Sequence, residues 1–391
     1  MNLLRGKTLR GSDGTSGPVI PACKPSAIRP RLASTTHPRR LRSLVTYWIT
    51  KILPLGPRSV ALLIALLAPA SPLIAAATPA YDYWLTGNPA DATPAKTRAG
   101  LLLSGGGGDV TAAWKWFIAC AGGGDLVVLR ASGGDGYQDF IFTKIGGVDS
   151  VETIKFNDAS AARDPRVLEI IAKADGIFMA GGDQGKYVTY WKDTPVGAAL
   201  NAHLRAGKPL GGTSAGLAVL GQYYFAAFND SITSATALAN PYDRSVTLGR
   251  DFIAAPPLVG IITDTHFMAR ARLGRLIAFL GRLAADEPDR PDQKKSRHIG
   301  LGIDEGTALC VEPDSTAKVY TEKNGLAWLV LPSRAPDLAA PGQPLHFRAV
   351  RVIGLGPDSA VDLAKLDIQR PAAMRLVTAR DGKLFDEPAS P

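Results

Sequence analysis

An α/β fold, with a mostly parallel sheet flanked by helices, is what this sequence predicts, and three observations predict it. From about Arg98 onward, short apolar runs alternate with longer mixed segments, the pattern of a parallel sheet covered by helices. Several of the runs end in glycine-rich or polar turns, as strands do where they deliver loops to a ligand site. One turn, Gly212-Thr213-Ser214-Ala215-Gly216, sets a serine between a strand-like and a helix-like segment, the setting of a nucleophile elbow.

In chain order, the apolar runs at 100–104, 126–131, 153–156, 176–180, 209–213 and 259–264 read as strands. Three turns follow three of them: Ser104 to Asp109 with four glycines between, Ser132-Gly133-Gly134-Asp135, and Gly181-Gly182-Asp183-Gln184. Loops at the carboxyl ends of parallel strands gather on one side, so these turns are expected to cluster. Segments 164–173, 196–206, 215–225 and 267–283 read as helices; the last has Leu273, Leu276, Ile277 and Leu280 at helical spacing. Residues 285–297 are polar and broken by prolines, a surface loop. Beyond it, 298–312, 318–321, 326–331 and 346–355 read as strands of a C-terminal β extension.

The formal charge of +9 is unevenly spread: residues 1–58 hold eleven Lys or Arg and one acid, Asp13, which leaves −1 for the remainder. A nucleic-acid partner therefore has no electrostatic footing in the folded part. The apolar run Val60 to Ala77 after the basic start ends in small residues and reads as an export signal, placing the mature protein in a secreted or periplasmic setting. Pro69 and Pro72 interrupt the run, which argues against a stable membrane anchor. The organisation expected is a leader and signal over 1–77, a linker over 78–98, the α/β domain over 99–320, and a β-rich extension over 321–391 packed on that domain. Cys120 and Cys310 lie far apart in sequence, so neither a disulfide framework nor a zinc site is indicated; one bridge or two buried thiols both fit.

Glycines flanking Ser214 permit a sharp, strained turn that lifts the hydroxyl above the sheet. The N–H of Ala215, at the helix start, then points where an oxyanion forms. A serine that merely caps a helix is the plainer alternative. A nucleophilic serine needs a base, and within 99–320 the histidines are His203, His266 and His298. His203 sits in a polar helix with Asn201 and Arg205 and reads as a solvated surface residue, and His298 follows the charged loop. His266 comes just after the strand ending at Asp264, on the side where the other turns gather, and is the best base. A carboxylate must orient it, and Asp304 and Glu305 end another apolar strand, pointing to opposite sides. The order Ser, His, acid differs from the Ser, acid, His order of α/β-hydrolases, which argues against a lipase or esterase.

Taken together, Gly181 to Gln184, Gly212 to Gly216, Asp264-Thr265-His266-Phe267 followed by Arg270, Arg272, Gly274, Arg275 and Leu276, and Gly302-Ile303-Asp304-Glu305-Gly306-Thr307-Ala308 resemble the cyanophycinase branch of the dipeptidase E serine peptidases. The resemblance spans roughly 99–312 and implies a flavodoxin-like fold related to class I glutamine amidotransferases. It implies Ser214 as nucleophile, His266 as base and Glu305 as acid, with Asp304 in a structural role. It places Gln184, Asp264, Thr265, Arg270, Arg272 and Arg275 in or near the substrate pocket, where guanidinium groups would meet aspartate-derived carboxylates. Family members usually carry glutamine immediately before the histidine; Thr265 stands there in this chain.

The expected reaction is acyl transfer to Ser214, with the oxyanion held by the N–H of Ala215 and one from the turn of Gly181, Gly182 and Asp183. No metal or organic cofactor is called for. The expected partner is a peptide or polymer with aspartyl and arginyl groups, cyanophycin being the named candidate, and a homodimer is left open. Two rivals stand beside this reading: a dipeptidase of the same family that does not act on cyanophycin, and a non-catalytic secreted protein whose glycine turns hold an anion. A dinucleotide site at Ser104 to Asp109 has little support, because the glycines do not form G-x-G-x-x-G.

Overall fold

The computed structural model describes residues 78–93, 96–287 and 298–387. The leader and apolar run at 1–77 and most of the polar loop, 288–297, lie outside the described residues. The first half runs β1 (Tyr81–Gly87), β2 (Leu101–Ser104), α1 (Thr111–Cys120), β3 (Asp125–Arg130), the short α2 (Tyr137–Asp139) leading into a π-helical turn, β4 (Ser150–Phe156), α3 (Pro165–Lys173), β5 (Gly176–Met179), α4 (Gln184–Trp191), α5 (Pro195–Arg205), β6 (Leu210–Thr213) and α6 (Ala215–Ala218). There follow β7 (Tyr223–Phe225), α7 (Ser234–Ala239), β8 (Leu248–Arg250), β9 (Ile261–Asp264), α8 (Leu273–Asp286), β10 (Ile299–Ile303) and β11 (Thr307–Val311). The chain ends with β12 (Thr316–Thr321), β13 (Ala327–Pro332), β14 (Phe347–Leu355), β15 (Ala360–Asp362), β16 (Asp367–Gln369), β17 (Ala373–Arg380) and β18 (Lys383–Asp386).

The fold is α/β, with two mixed sheets. The ten-stranded sheet has the order β1-β4-β3-β5-β6-β2-β11-β12-β15-β16. Its parallel part is the five strands β4 to β2, and the strands on either side are antiparallel. The eight-stranded sheet, β18-β17-β14-β13-β10-β9-β7-β8, is antiparallel except where β10, β9 and β7 meet.

Strands buried on both faces are short and apolar throughout. In β2, Leu101 and Leu103 face the core shared with Ile261 and Leu301 of the second sheet, while Leu102 faces Trp114 and Phe117 of α1. The outer side of the second sheet is covered by α8 through Leu276, Ile277 and Phe279. Local signals start the helices: Asp164 accepts from the backbone N–H groups of Arg166 and Val167, and Pro165 fills the first helical position of α3.

Four expectations change. The stretch 78–98 is not simply a linker, since β1 within it hydrogen-bonds along the whole length of β4. Residues 215–225 do not form one helix: α6 stops after four residues and the chain enters β7. A side chain at Gly221 would meet the Ile261 carbonyl at 2.7 Å, so the backbones are too close there for another helical turn of larger residues. The run 298–312 is two strands in different sheets, β10 and β11, joined by the turn that carries Asp304 and Glu305. The strands after 321 complete both sheets. Cys120 and Cys310 are buried free thiols, and burial pushes the Cys120 thiol up to about 11.

Candidate active site

Ser214 follows β6 and begins α6 with φ 50° and ψ −115°, a strained conformation for a residue with a side chain. Its N–H donates to the carbonyl of Ser104, 3.2 Å away, which ties the elbow to the end of β2. The space beneath the elbow admits only glycine: a Cβ on Gly216 would lie 2.0 Å from the Met179 carbonyl oxygen. The sequence thus supplies both the strain and the room for it.

His266 is also at positive φ, 45°, on the turn after β9, and is buried. Its N–H donates to the Gly105 carbonyl at 2.8 Å, and the next N–H, of Phe267, donates to the Ile303 carbonyl at 3.1 Å. These bonds set the imidazole between two partners: Nε2 is 2.8 Å from Ser214 Oγ, and Nδ1 is 2.6 Å from Glu305 Oε1. Glu305 is acceptor-only when ionised, so Nδ1 carries the proton and Nε2 is left to accept from the serine hydroxyl.

The charges agree with that tautomer. Burial holds the His266 pKa below the ordinary histidine value; the Glu305 bond opposes this, while the positive charges of Arg270 and Arg272 add to it. The Glu305 carboxyl is held low by the hydrogen bond from His266, aided by the charges of Lys323 and Arg270. His266 is therefore neutral at neutral pH and Glu305 is ionised. Protonation of His266 removes its capacity to accept, so any reaction that uses it as base is lost as pH falls. The acid limb of kcat/KM is expected to have its midpoint below about 6.5, with a plateau above it. A midpoint above 7 in a pH–rate profile would contradict this electrostatic picture.

Asp304 faces the other way and holds the turn: Oδ1 accepts from the Met268 N–H at 3.0 Å, and Oδ2 from the Leu326 N–H at 2.9 Å and the Trp328 indole at 3.0 Å. The two neighbouring acids thus have separate contacts, one with His266 and one with the scaffold.

The residues expected around the substrate divide. Asp264 and Arg275 form a buried two-point ion pair, Nε to Oδ2 at 2.8 Å and Nη2 to Oδ1 at 2.5 Å. The Arg275 guanidinium also lies over the Phe225 ring, 5.2 Å from its centroid, and donates to Ser231. Its donors are taken up inside the protein, so of the residues expected in or near the substrate pocket Arg275 and Asp264 lie near it, as a buried pair on the turn leading to His266. Thr265 is buried, and Arg272 donates to its carbonyl at 2.9 Å and its hydroxyl at 3.2 Å. Burial lowers the Arg272 pKa to about 10, with the neighbouring Asp264 carboxylate opposing the drop. Arg270 is exposed, and no carboxylate lies at ion-pair distance from it among the described residues. Gln184 is half-buried at the start of α4, its amide 3.4 Å from the Phe225 carbonyl.

At the expected oxyanion hole, Ala215 begins α6, where the first N–H groups of a helix have no intrahelical acceptor. The turn residue nearest the serine is Gly181, whose Cβ position lies 3.4 Å from Ser214 Cβ. Gly182 instead packs on Ser132 and Tyr187, and the Asp183 carboxylate caps α4 by accepting from Gly185 and Lys186. His203 is not on the surface: it is buried with Nε2 2.9 Å from the Pro209 carbonyl, and burial lowers its pKa to about 4.

The turn 105–109 is part of the site. A Cβ at Gly106 would lie 2.6 Å from His266 Cε1 and 3.1 Å from Ser214 Cβ, and one at Gly107 would lie 2.5 Å from the Glu305 carboxyl carbon. Only glycines let this loop lie across the three side chains. An open cavity of about 290 Å³ reaches Ser214 between Gly106, Asp109, Arg130, Tyr137 and Gly181. Arg130 and Tyr137 were not anticipated; the available signal was that Arg130 ends a strand of the parallel array.

Residues 140–240 match the sequence model of peptidase family S51, a stretch that includes Gly181 and Ser214 and stops before His266. The cyanophycinase of Geminocystis herdmanii (strain PCC 6308) is 29% identical over 234 residues, 57% of this chain and 77% of that protein. The cyanophycinase of Synechococcus elongatus is 34% identical over 184 residues, 47% of this chain and 50% of that protein. The chain thus spans about three quarters of the first relative and half of the second. Among solved structures, a peptidase from an acI-B1 Actinobacterium is similar at 16% identity and a TM-score of 0.45, over 69% of this chain and 98% of that one.

Proposed function

We propose, from the match of residues 140–240 to the peptidase family S51 model, that this chain is a serine exopeptidase that hydrolyses aspartyl peptide or isopeptide bonds through an acyl-enzyme on Ser214. The observation that carries the reading is the hydrogen-bonded line from Ser214 through His266 to Glu305, at 2.8 and 2.6 Å.

The Ser214 oxygen attacks the scissile carbonyl carbon as His266 Nε2 takes its proton. The carbonyl oxygen becomes an oxyanion facing the N–H of Ala215 and the Gly181 turn. Collapse breaks the C–N bond, and the proton on His266 passes to the leaving amine. Water then repeats the sequence and frees Ser214. Glu305 holds the imidazole and stabilises its charged form. Peptide bond hydrolysis by this route balances with the protein's own groups and one water.

Cyanophycin is the polymer candidate on the strength of the relatives' names, and the apolar run before residue 78 supports export to the periplasm or beyond. Thr265 and the closed Asp264–Arg275 pair favour the second reading, a dipeptidase that does not act on the polymer. Purified cyanophycin and a panel of aspartyl dipeptides, each given to the mature protein and to a Ser214→Ala control, separate the two. Release of β-aspartyl-arginine that the control lacks supports a cyanophycinase. Cleavage of dipeptides alone keeps the mechanism and removes the polymer. Turnover of neither would overturn the peptidase reading.

A further inference from the structure

Arg130 is a half-buried cation beside the nucleophile with no carboxylate at ion-pair distance among the described residues. Its position is fixed by the turn that follows it: Nε donates to the Ser132 carbonyl and Nη1 to the Gly134 carbonyl, each at 2.5 Å. Gly133, at φ 80°, wraps so closely that a Cβ there would lie 2.3 Å from Nη2, so the guanidinium is held in place by backbone alone among the described residues. Its opposite wall holds Asp109, which accepts from the Trp114 indole at 3.1 Å and the Tyr137 hydroxyl at 3.2 Å. Burial raises the Asp109 pKa and so disfavours its charge. The cavity thus has on one wall a guanidinium with no carboxylate at ion-pair distance among the described residues, and on the other a carboxyl engaged by Trp114 and Tyr137, an arrangement that suits an anion at Arg130.

The side of the substrate that enters is set by the chemistry. His266 must return its proton to the leaving amine, so the leaving group lies over the imidazole and the acyl group lies away from it. The cavity reaches Ser214 from the side of Arg130 and Tyr137, across the glycine turn from His266. Its volume, about 290 Å³, is at the small end for ligand pockets, suited to one residue rather than a length of polymer.

We propose that Arg130 is the specificity-determining residue of this acyl-side pocket and binds a free side-chain carboxylate, so that the residue donating the acyl group is an unsubstituted aspartyl. This rests on the peptidase reading above and narrows it. In cyanophycin the side-chain carboxylates are engaged in amide bonds to arginine, so a pocket that reads a free carboxylate ranks simple aspartyl peptides above the polymer.

The test uses binding, so that it does not depend on turnover. Aspartyl-alanine and the isosteric asparaginyl-alanine are titrated calorimetrically into the full mature protein carrying Ser214→Ala, alone and combined with Arg130→Gln or Arg130→Lys. The expected result is at least about tenfold tighter binding of the aspartyl peptide, a ratio that falls to about one with Arg130→Gln. Arg130→Lys should recover part of the ratio, because it keeps the charge and loses the planar two-point geometry. Thermal unfolding of each variant checks the fold. Equal affinity for the two peptides, no binding of either, or a ratio indifferent to Arg130→Gln overturns the assignment. Fluorophosphonate labelling of Ser214 in the unsubstituted protein tells which reading has failed: labelling without carboxylate discrimination removes the Arg130 assignment alone, and absence of labelling removes the peptidase reading with it.

Discussion

Ser214→Ala is expected to lower kcat toward aspartyl peptides by about 10⁴-fold or more, with KM changed only a few-fold. Among the described residues, the hydroxyl is the group in the site placed to form the acyl bond, with Nε2 of His266 2.8 Å away. What remains after its removal is the oxyanion-stabilising N–H groups and the pocket, which act on a nucleophile that is no longer there. The elbow should survive, because its φ of 50° is imposed by the glycine at 216 and the close Met179 carbonyl, not by the hydroxyl. Steady-state kinetics beside an unchanged unfolding midpoint would show the loss to be chemical. A variant that kept a tenth of the activity would rule out Ser214 as the acyl carrier.

Asp264→Asn should be the most destabilising single change in the neighbourhood of the site, by about 3–5 kcal/mol. The side chains of Asp264 and Arg275 are 4% and 3% exposed, and the substitution leaves the guanidinium buried between Phe225 and Phe279 without its carboxylate. The cost is that of an uncompensated buried charge more than of a lost attraction. Replacing both, as Asp264→Leu with Arg275→Met, should therefore cost less than the single change. Urea unfolding gives the comparison, as a shift in midpoint with little change in slope. Activity should fall with the single change as well, because Asp264 stands two residues before His266 and its carboxylate accepts from the Thr265 N–H at 2.8 Å. A midpoint unchanged by Asp264→Asn would mean that the pair does not brace the turn.

The parallel strands were legible because a strand buried on both faces is a short apolar run closed by a turn, and the runs ending at Ser104, Thr213 and Asp264 have that form. Ser214 and His266 were legible for the same reason, each lying just beyond such a run; the next run pointed to Asp304 and Glu305 alike, and only the resemblance singled out Glu305. The split of 298–312 into two sheets was present in the sequence as Asp304-Glu305-Gly306, with Gly306 at φ 62° in the turn, but the apolar runs on either side read together as one strand. The arginines were not legible. Which of Arg270, Arg272 and Arg275 points inward depends on the turn before α8, where Ala271 adopts φ 48°, and nothing in the spacing of the three reveals it. His203 misled because its neighbours Asn201 and Arg205 are polar, while its own side chain lies under the Pro209 carbonyl. Arg130 was hidden differently: a basic residue at the end of a strand looks like any solvated one until the turn at 132–134 closes around it.

The most direct test of the central claim is the site of covalent modification by a fluorophosphonate. Peptide mapping by mass spectrometry after brief exposure near pH 7.5 should find a single adduct on Ser214, formed far more slowly in a His266→Ala variant because the base at Nε2 is gone. No adduct on Ser214, or an adduct whose rate ignores His266, would contradict an activated serine in this site.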